Sequence, residues 1–386
     1  MSGRSAAVDL PVSDDRAGAV PWWRAQGVLG PSRISGVYLL VAISAVFAVW
    51  LPATFPRADT AWQIVNSNAI PAMAALTLII PLAAGVFDIS VPYTMTLSGA
   101  VCTYAIVITG WPVWAAILLA VLVSLVVGVI NAVIVVVWKI ESLIGTLASG
   151  FVIQAMVLWR TDNLVIAGPE LNGAFRDLAF HQPFAKLTLP VLYALAMAAV
   201  IGVVLRYTST GRRLYATGFN SDAARLAGVR TARLQAGALV ASSMLAGMTG
   251  VVLASNLGQG ISNSGVVLLL PAFAGAFLGA TQIRPGRFNP WGTVIAVLLL
   301  GTLTTGLSLG HAPQWIQQLV AGGVLVIALA VAGRDVRKIG HDRQLDEIVP
   351  EASEPVSEDV AGHEAPTTTG SKDISLGSAR RKEEKI

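Results

Sequence analysis

Charged side chains are scarce in this sequence. Only 12% of its 386 residues are Asp, Glu, Lys or Arg, whereas hydrophobic residues make up 54%. A soluble globular domain carries about 25% charged residues, so this composition excludes a soluble protein of this length. It predicts instead an all-α protein that crosses a membrane several times.

Residues that could carry out chemistry are equally few. The single cysteine, Cys102, excludes an intramolecular disulfide, and the histidines are scattered without metal-ligand spacing. No Gly-x-x-x-x-Gly-Lys-Ser/Thr segment is present, so the chain has no Walker phosphate loop. No Ser/His/Asp constellation indicates an enzyme. We therefore expect no cofactor on this chain. If transport is driven by nucleotide, the ATPase is a separate polypeptide.

About ten stretches have the apolarity of membrane spans, for which about 20 residues are needed. They are Gly36–Pro52, Ala69–Val86, Pro92–Thr109, Val113–Val137, Leu143–Trp159, Leu187–Leu205, Ala236–Ala254, Val266–Gly279, Gly292–Leu309 and Trp315–Ala332. The predicted organisation is an N-terminal cytoplasmic segment (1–35), a transmembrane domain (36–333) and a tail (334–386). The tail is polar and almost free of aromatic residues, which is typical of disorder. Fusion of the second and third spans around Asp88 is the main alternative.

The distribution of Lys and Arg predicts the orientation. With both termini in the cytoplasm, the arginine cluster over 206–233 lies inside, as the positive-inside rule requires. The segments then left outside hold few basic residues, namely Arg57, Arg160, Arg176 and Lys186. We therefore expect a multi-pass protein of the plasma or inner membrane. Its basic loops suit anionic lipid, so nucleic acid need not be invoked.

The longest charged interruption between apolar runs is 211–233. Asn220 or Ser221 can cap a short helix there, Asp222 suits its first turn and Gly228 is placed to stop it. The pattern predicts a helix of about two turns near 218–230. Such a helix on the membrane face can dock a partner, but an ordinary basic loop explains the composition equally simply.

Asp88 lies in a break between two apolar runs, bracketed by Gly85 and Pro92. Asp88 or Ser90 can cap the following helix, and we favour this function for Asp88 over that of a substrate ligand. Asp, Glu, Lys, Arg and His are absent from the predicted spans, which argues against a proton-coupled carrier but leaves sodium sites possible. Residues that could line a solute path, each also able to serve in packing, are Phe87, Asp88, Ser90, Asn131, Thr146 and Gln154.

Three regions of the sequence resemble motifs of one protein family, and they occur in the same order as in that family. Gly85-Val-Phe-Asp-Ile-Ser-Val91 with Leu97-Ser-Gly99 resembles its Gly-Gly-Ile-Asp-Leu-Ser-Val…Leu-Ser-Gly signature. The segment 216–228, Ala-Thr-Gly-Phe-Asn-Ser-Asp-Ala-Ala-Arg-Leu-Ala-Gly, resembles its coupling segment, and 278–307 resembles its last motif. The family is that of the ribose-type permeases, the membrane subunits of ABC importers for simple sugars. Val86, Pro92 and Arg284-Pro285 depart from its pattern.

The resemblance implies partners as well as a function. It implies a homodimer or paired permease, a cytoplasmic ABC ATPase that binds ATP and Mg²⁺, and an extracytoplasmic solute-binding protein. Solute import is also implied by the resemblance alone. The residues that would couple the permease to the ATPase are Gly218, Asn220, Asp222, Ala223, Ala224, Arg225, Leu226, Gly228 and Arg230. The alternatives are a permease for branched-chain amino acids, nucleosides or a signalling furanose, a sodium-coupled secondary carrier, and a membrane scaffold or receptor.

Overall fold

A computed structural model describes residues 35–283, 286–320, 322–324 and 326. Residues 1–34, the tail at 334–386 and eight of the eighteen residues of the tenth predicted span lie outside this part of the chain. Within it, the architecture is helical, and its only β-type pairings are two isolated bridges, Ile166 with Gly260 and Phe184 with Leu187. The all-α prediction is therefore confirmed.

Fourteen named α-helices follow one another along the described chain. They are α1 (Ser35–Trp50), α2 (Ala58–Ser67), α3 (Ala69–Thr77), α4 (Ile79–Ala83), α5 (Val91–Val107), α6 (Val113–Ala132), α7 (Ser142–Thr161), α8 (Ala174–Phe180), α9 (Leu189–Tyr207), α10 (Ser209–Phe219), α11 (Ser221–Leu226), α12 (Thr231–Leu257), α13 (Leu269–Thr281) and α14 (Pro290–Leu309). A π-helical turn, Val133–Val137, extends α6.

The helices confirm a multi-pass membrane protein. Six described segments are long and apolar enough to span a membrane, and three shorter apolar helices lie at 36–50, 91–107 and 266–281. Each of these corresponds to one of the first nine predicted spans. A further helix begins at 314, one residue before the predicted start of the tenth span at Trp315. The spans on either side of Asp88 are separate, because residues 84–90 leave the helical conformation.

The second span begins earlier than predicted and consists of three helices. Its 26 residues run from Ala58, whereas the sequence predicts a start at Ala69. Proline has no N–H for the carbonyl four residues before it. Pro71 therefore leaves the carbonyl of Ser67 without its helical partner, and α2 ends at Ser67. Pro81 likewise leaves the carbonyl of Thr77 without its helical partner, and Thr77 is the last residue of α3.

Polar side chains explain why the hydropathy of the sequence did not predict α2 as part of the second span. Asp59 forms an ion pair with Lys186, and Asn66 accepts hydrogen bonds from the backbone and hydroxyl of Thr188, both at 3.1 Å. The Asn66 amide also donates to the carbonyl of Lys186 at 2.8 Å. These contacts join α2 to the segment that leads into α9, so α2 is a helix whose polar side chains lower its hydropathy.

The core of the bundle is built around α12. This helix packs against α3, α5, α6 and α8, and 61% of its most apolar window is buried, against 28% for α7. Small residues on α12 permit it to approach α5 closely. A Cβ on Gly250 would lie 2.7 Å from the Cα of Met95 on α5. Ser98 on α5 donates its hydroxyl hydrogen bond to the carbonyl of Gly247 at 2.6 Å. Gly247 and Gly250 thus lie where α12 approaches its neighbours closely, as small residues in membrane helices allow.

Candidate functional site: the coupling segment and the Asp88 break

The candidate coupling helix is α11, and Asn220 caps it. The Asn220 side-chain oxygen accepts hydrogen bonds from the backbone N–H of Asp222 at 3.1 Å and of Ala223 at 2.9 Å. These donors would otherwise be unpaired at the helix start. Gly228, just beyond the helix end, has a φ of +82°, which glycine adopts without strain. The predicted cap and stop are confirmed.

The candidate coupling helix is shorter than the segment near 218–230 in which it was predicted. The helix covers only Ser221–Leu226. Gly218 belongs to the preceding helix, α10, which the sequence did not reveal, and Arg230 is the N-cap residue of α12. Two helices, α10 and α11, lie in this region instead of one. They are separate because Asn220 between them takes an extended conformation, with φ −155° and ψ 100°.

Most of the predicted coupling residues are exposed. Leu226 is 88% exposed, although it is a large apolar side chain. Phe219, the last residue of α10 and not a predicted coupling residue, is 67% exposed. Arg225 forms an exposed ion pair with Asp222 at 3.3 Å, which contributes little to stability and leaves both groups accessible. Only Ala224 in α11 faces inward and is buried. The helix thus presents apolar and charged groups together on one short element.

Gly218 brings α10 into contact with the Asp88 break, which is the non-helical stretch 84–90. A Cβ on Gly218 would lie 3.0 Å from the backbone nitrogen of Gly85 and would clash with the carbonyl oxygen of Ala83. In the other direction, a Cβ on Gly85 would lie 2.9 Å from the Cα of Gly218. Gly85 also has a φ of +76°, so two conditions favour glycine at this position. The backbones of α10 and of the break are therefore in direct contact.

A second contact ties α10 to the segment before α14. Tyr215 donates its hydroxyl hydrogen bond to the carbonyl of Phe288 at 2.5 Å. The Phe288 ring packs edge-on against Phe277 of α13, with ring centroids 5.5 Å apart. Phe277 in turn lies 6.4 Å from the ring of Phe87. An aromatic cluster thus connects α10, α13 and the residue immediately before Asp88.

Asp88 lies at one end of a buried hydrogen-bond network. Its Oδ1 accepts from the Ser90 backbone N–H at 3.2 Å and from the Ser90 hydroxyl at 2.5 Å. The Asn131 amide donates to the Ser90 hydroxyl oxygen at 2.7 Å. The Ser149 hydroxyl donates to the Asn131 side-chain oxygen at 2.5 Å. Asp88, Ser90 and Asn131 are fully buried, so the network that joins the break to α6 and α7 lies in the interior of the bundle.

The first turns of α7 hold the backbone of the break. The Phe87 N–H donates to the Ser142 hydroxyl and the Ile89 N–H to the Thr146 hydroxyl, both at 3.0 Å. Neither Asp88 nor Ser90 caps α5 through its side chain, which corrects the predicted helix cap. The Asp88 carboxylate instead orients Ser90, and hydroxyl groups of another helix satisfy the neighbouring backbone donors.

Within the part of the chain that the structure describes, the network includes buried polar atoms that have no hydrogen-bond partner. The Ser242 hydroxyl on α12 lies near the Asp88 carboxyl group, yet neither Asp88 Oδ2 nor Ser242 Oγ completes a hydrogen bond. The Ser243 hydroxyl is also unpartnered and buried. Buried polar atoms without a hydrogen-bond partner cost free energy.

The structure brings together five of the six predicted path residues. Phe87, Asp88, Ser90, Asn131 and Thr146 share the contacts just described. Gln154 is separate, because its amide donates to the carbonyl of Ser262, toward the other end of α7, at 2.7 Å.

Several residues of the site were not predicted. Ser142 and Tyr215 were given no role, although Ser142 stands at the start of an apolar run, where a hydroxyl can meet backbone donors. Tyr215 lies in the charged interruption itself. No local signal in the sequence shows that Ser142 contacts the break or that Tyr215 contacts the segment before α14.

Comparison with known proteins places the chain in a transport family. The family described as "Branched-chain amino acid transport system / permease component" matches residues 61–329, and the chain belongs to it. It is therefore a transport permease component and not an enzyme, as the sequence predicts. No solved structure matches the chain.

Curated relatives are named for particular solutes. The L-arabinose ABC transporter permease protein AraH of Azospirillum brasilense is 31% identical over 311 residues, covering 78% of this chain and 91% of its own. The ribose import permease protein RbsC of Bacillus subtilis is 29% identical, with the same coverage of each chain. The galactofuranose transporter permease protein YtfT of Escherichia coli is 28% identical, covering 70% of this chain and 78% of its own.

Proposed function

We propose that the chain is the permease subunit of an ABC importer for a simple sugar. The observation that carries the proposal is that relatives named for arabinose and ribose transport match it across 91% of their length. The candidate site fits this function, since it combines an exposed capped helix with a buried polar network inside an apolar bundle. Both termini are then cytoplasmic, and α11 faces the cytoplasm.

In this proposal α11 docks on a separate ABC ATPase, which binds ATP and Mg²⁺. Leu226 and Phe219 supply exposed apolar surface for a groove on the ATPase, and Arg225 and Arg230 supply charge. The Asn220 cap keeps α11 formed although six residues are too few for a stable isolated helix. A preformed element reduces the entropy that docking would otherwise cost.

In this proposal a movement of α11 with the ATPase reaches the membrane-spanning helices through α10. Because Gly218 touches Gly85 and Tyr215 holds Phe288, a shift of α10 displaces the Asp88 break and the α13–α14 connection together. Movements of packed elements by one or two ångströms are typical of such transitions. The break can respond because residues 84–90 are not helical.

The buried network lies on the solute path in this proposal. Phe87, Asp88, Ser90, Asn131 and Thr146 provide hydrogen-bonding groups and an aromatic face at the arginine-rich end, and Gln154 lies further along α7. Since Asp88 and Asn131 are fully buried, the path is closed at this point and opens when the break moves. A paired permease, of this chain or a related one, completes the path. An extracytoplasmic binding protein selects the sugar.

The test is co-purification and transport with the cognate ATPase. The tagged full-length chain is purified from its native membrane as wild type and as the double variant Arg225→Glu, Arg230→Glu. We expect the ATPase with the wild type and not with the folded double variant. Arg176→Glu, an exposed arginine on α8 outside the coupling segment, is the matched control and keeps the ATPase. If the wild type retains no ATPase, the importer assignment is wrong.

A second candidate solute class follows from the family description, which names branched-chain amino acids. Reconstituted vesicles that contain the chain, its ATPase and its binding protein distinguish the two classes. We expect ATP-dependent uptake of a labelled pentose or hexose and none of leucine. Uptake of leucine alone would favour the second candidate.

A further inference from the structure

An apolar cavity of about 480 Å³ opens between α5, α6 and α7. It lies beside the second half of α5, at the end of the bundle opposite to the Asp88 break. Its wall includes Ala100 and Val123, and its mouth includes Met156 and Trp159, which are 55% and 79% exposed. A cavity of this volume is within the range of ligand sites.

The cavity does not suit a sugar. A site for a hydroxyl-rich solute needs several buried hydrogen-bonding groups, whereas eleven of the fourteen side chains that line this one are aliphatic, aromatic or methionine, the others being Thr109, Arg160 and Thr161. The polar network described above lies at the other end of α5. The ligand of the cavity is therefore apolar over most of its length.

The mouth carries one cation and two tryptophans. The Arg160 guanidinium stacks on the Tyr104 ring, 4.2 Å from its centroid, and contacts the Tyr104 hydroxyl. Arg160 forms no ion pair with an acidic group within the described residues. Trp111 and Trp159 also line the site, and tryptophan prefers the headgroup level of a membrane.

We propose that this cavity binds an anionic phospholipid, with one acyl chain between the helices and the phosphate on Arg160. Arginine matches phosphate geometry with paired N–H donors. Stacking on Tyr104 orients the guanidinium, so less side-chain freedom is lost when the phosphate binds. The charge of the mouth distinguishes this occupant from an uncharged lipid, and the apolar wall distinguishes it from a free phosphate ion.

The experiment measures lipid-dependent melting of the full-length chain in detergent. Phosphatidylglycerol and phosphatidylcholine with identical acyl chains are added separately, since a ligand that binds the folded state raises the melting temperature. We expect a larger rise with phosphatidylglycerol. Arg160→Gln should weaken apparent phosphatidylglycerol binding about tenfold and remove the preference. Arg176→Gln, which removes an arginine that stacks on Phe180 instead, should leave the preference unchanged.

A second variant tests the cavity itself. Val123→Phe fills the space, so we expect it to reduce the response to both lipids. Equal responses of the wild type to the two lipids, or an unchanged preference in Arg160→Gln, would refute the proposal. Arg160 is exposed, so its substitution does not threaten folding. A dimer by native mass spectrometry that holds no phosphatidylglycerol and dissociates in Val123→Phe would show that a second copy of the chain covers the cavity.

Discussion

The contact between Gly218 and Gly85 gives the sharpest prediction. In Gly218→Ala the new methyl group would lie 3.0 Å from the Gly85 nitrogen and closer still to the Ala83 carbonyl oxygen. Both neighbours are backbone atoms that cannot rotate away. Overpacking of this kind costs about 1–3 kcal/mol, and alanine recovers about 1 kcal/mol of it through its higher helix propensity. We therefore expect a net loss of up to about 2 kcal/mol in the free energy of unfolding.

The functional effect of Gly218→Ala should exceed the loss of stability. Because the methyl group separates α10 from the break, we expect ATPase association to persist while sugar uptake per ATP hydrolysed falls several-fold in reconstituted vesicles. Gly237→Ala is the control, since a Cβ there meets nothing within 4 Å and alanine should stabilise α12 by about 1 kcal/mol. Wild-type uptake and an unchanged melting temperature in Gly218→Ala would refute the role of this contact.

Three further predictions concern the cap, the network and the core. Asn220→Ala removes the acceptor for two backbone donors and should destabilise α11 by about 1 kcal/mol, seen as faster amide hydrogen exchange over 222–226. Asp88→Ala removes the acceptor for both Ser90 donors and should lower the free energy of unfolding by about 1–3 kcal/mol, measured by thermal melting. Gly250→Val places a side chain against Met95, so we expect poor yield of folded protein by size-exclusion chromatography.

Each of these variants has a conservative counterpart. Asn220→Ser keeps a capping oxygen and should retain slow exchange in α11. Asp88→Asn keeps an acceptor for Ser90 and should melt close to the wild type, whereas equal losses in the Asn and Ala variants would show that the hydrogen bonds to Ser90 are not what stabilises the break. Gly237→Val avoids a backbone clash on the same helix, so a yield as low as that of Gly250→Val would contradict the packing interpretation.

Local signals in the sequence predicted much of the site. Asn220 and Gly228 were recognisable because capping depends on residues within one turn. Asp88 was recognisable because Gly85 and Pro92 interrupt two apolar runs. The failures were also physical. The polar side chains of α2 lowered its hydropathy, and α10 lacks the apolar length that marks a span, so neither was predicted as a helix.

The sequence by itself determined the class of protein, the approximate spans and the short capped helix, because hydropathy and capping act over neighbouring residues. Only the tertiary structure decided which distant parts of the chain α10 and the Asp88 break contact. The approach of Gly218 to Gly85, the bond from Tyr215 to Phe288 and the support of the break by Ser142 join segments far apart in the chain. Such contacts depend on how the helices pack, and no pattern along the chain records them.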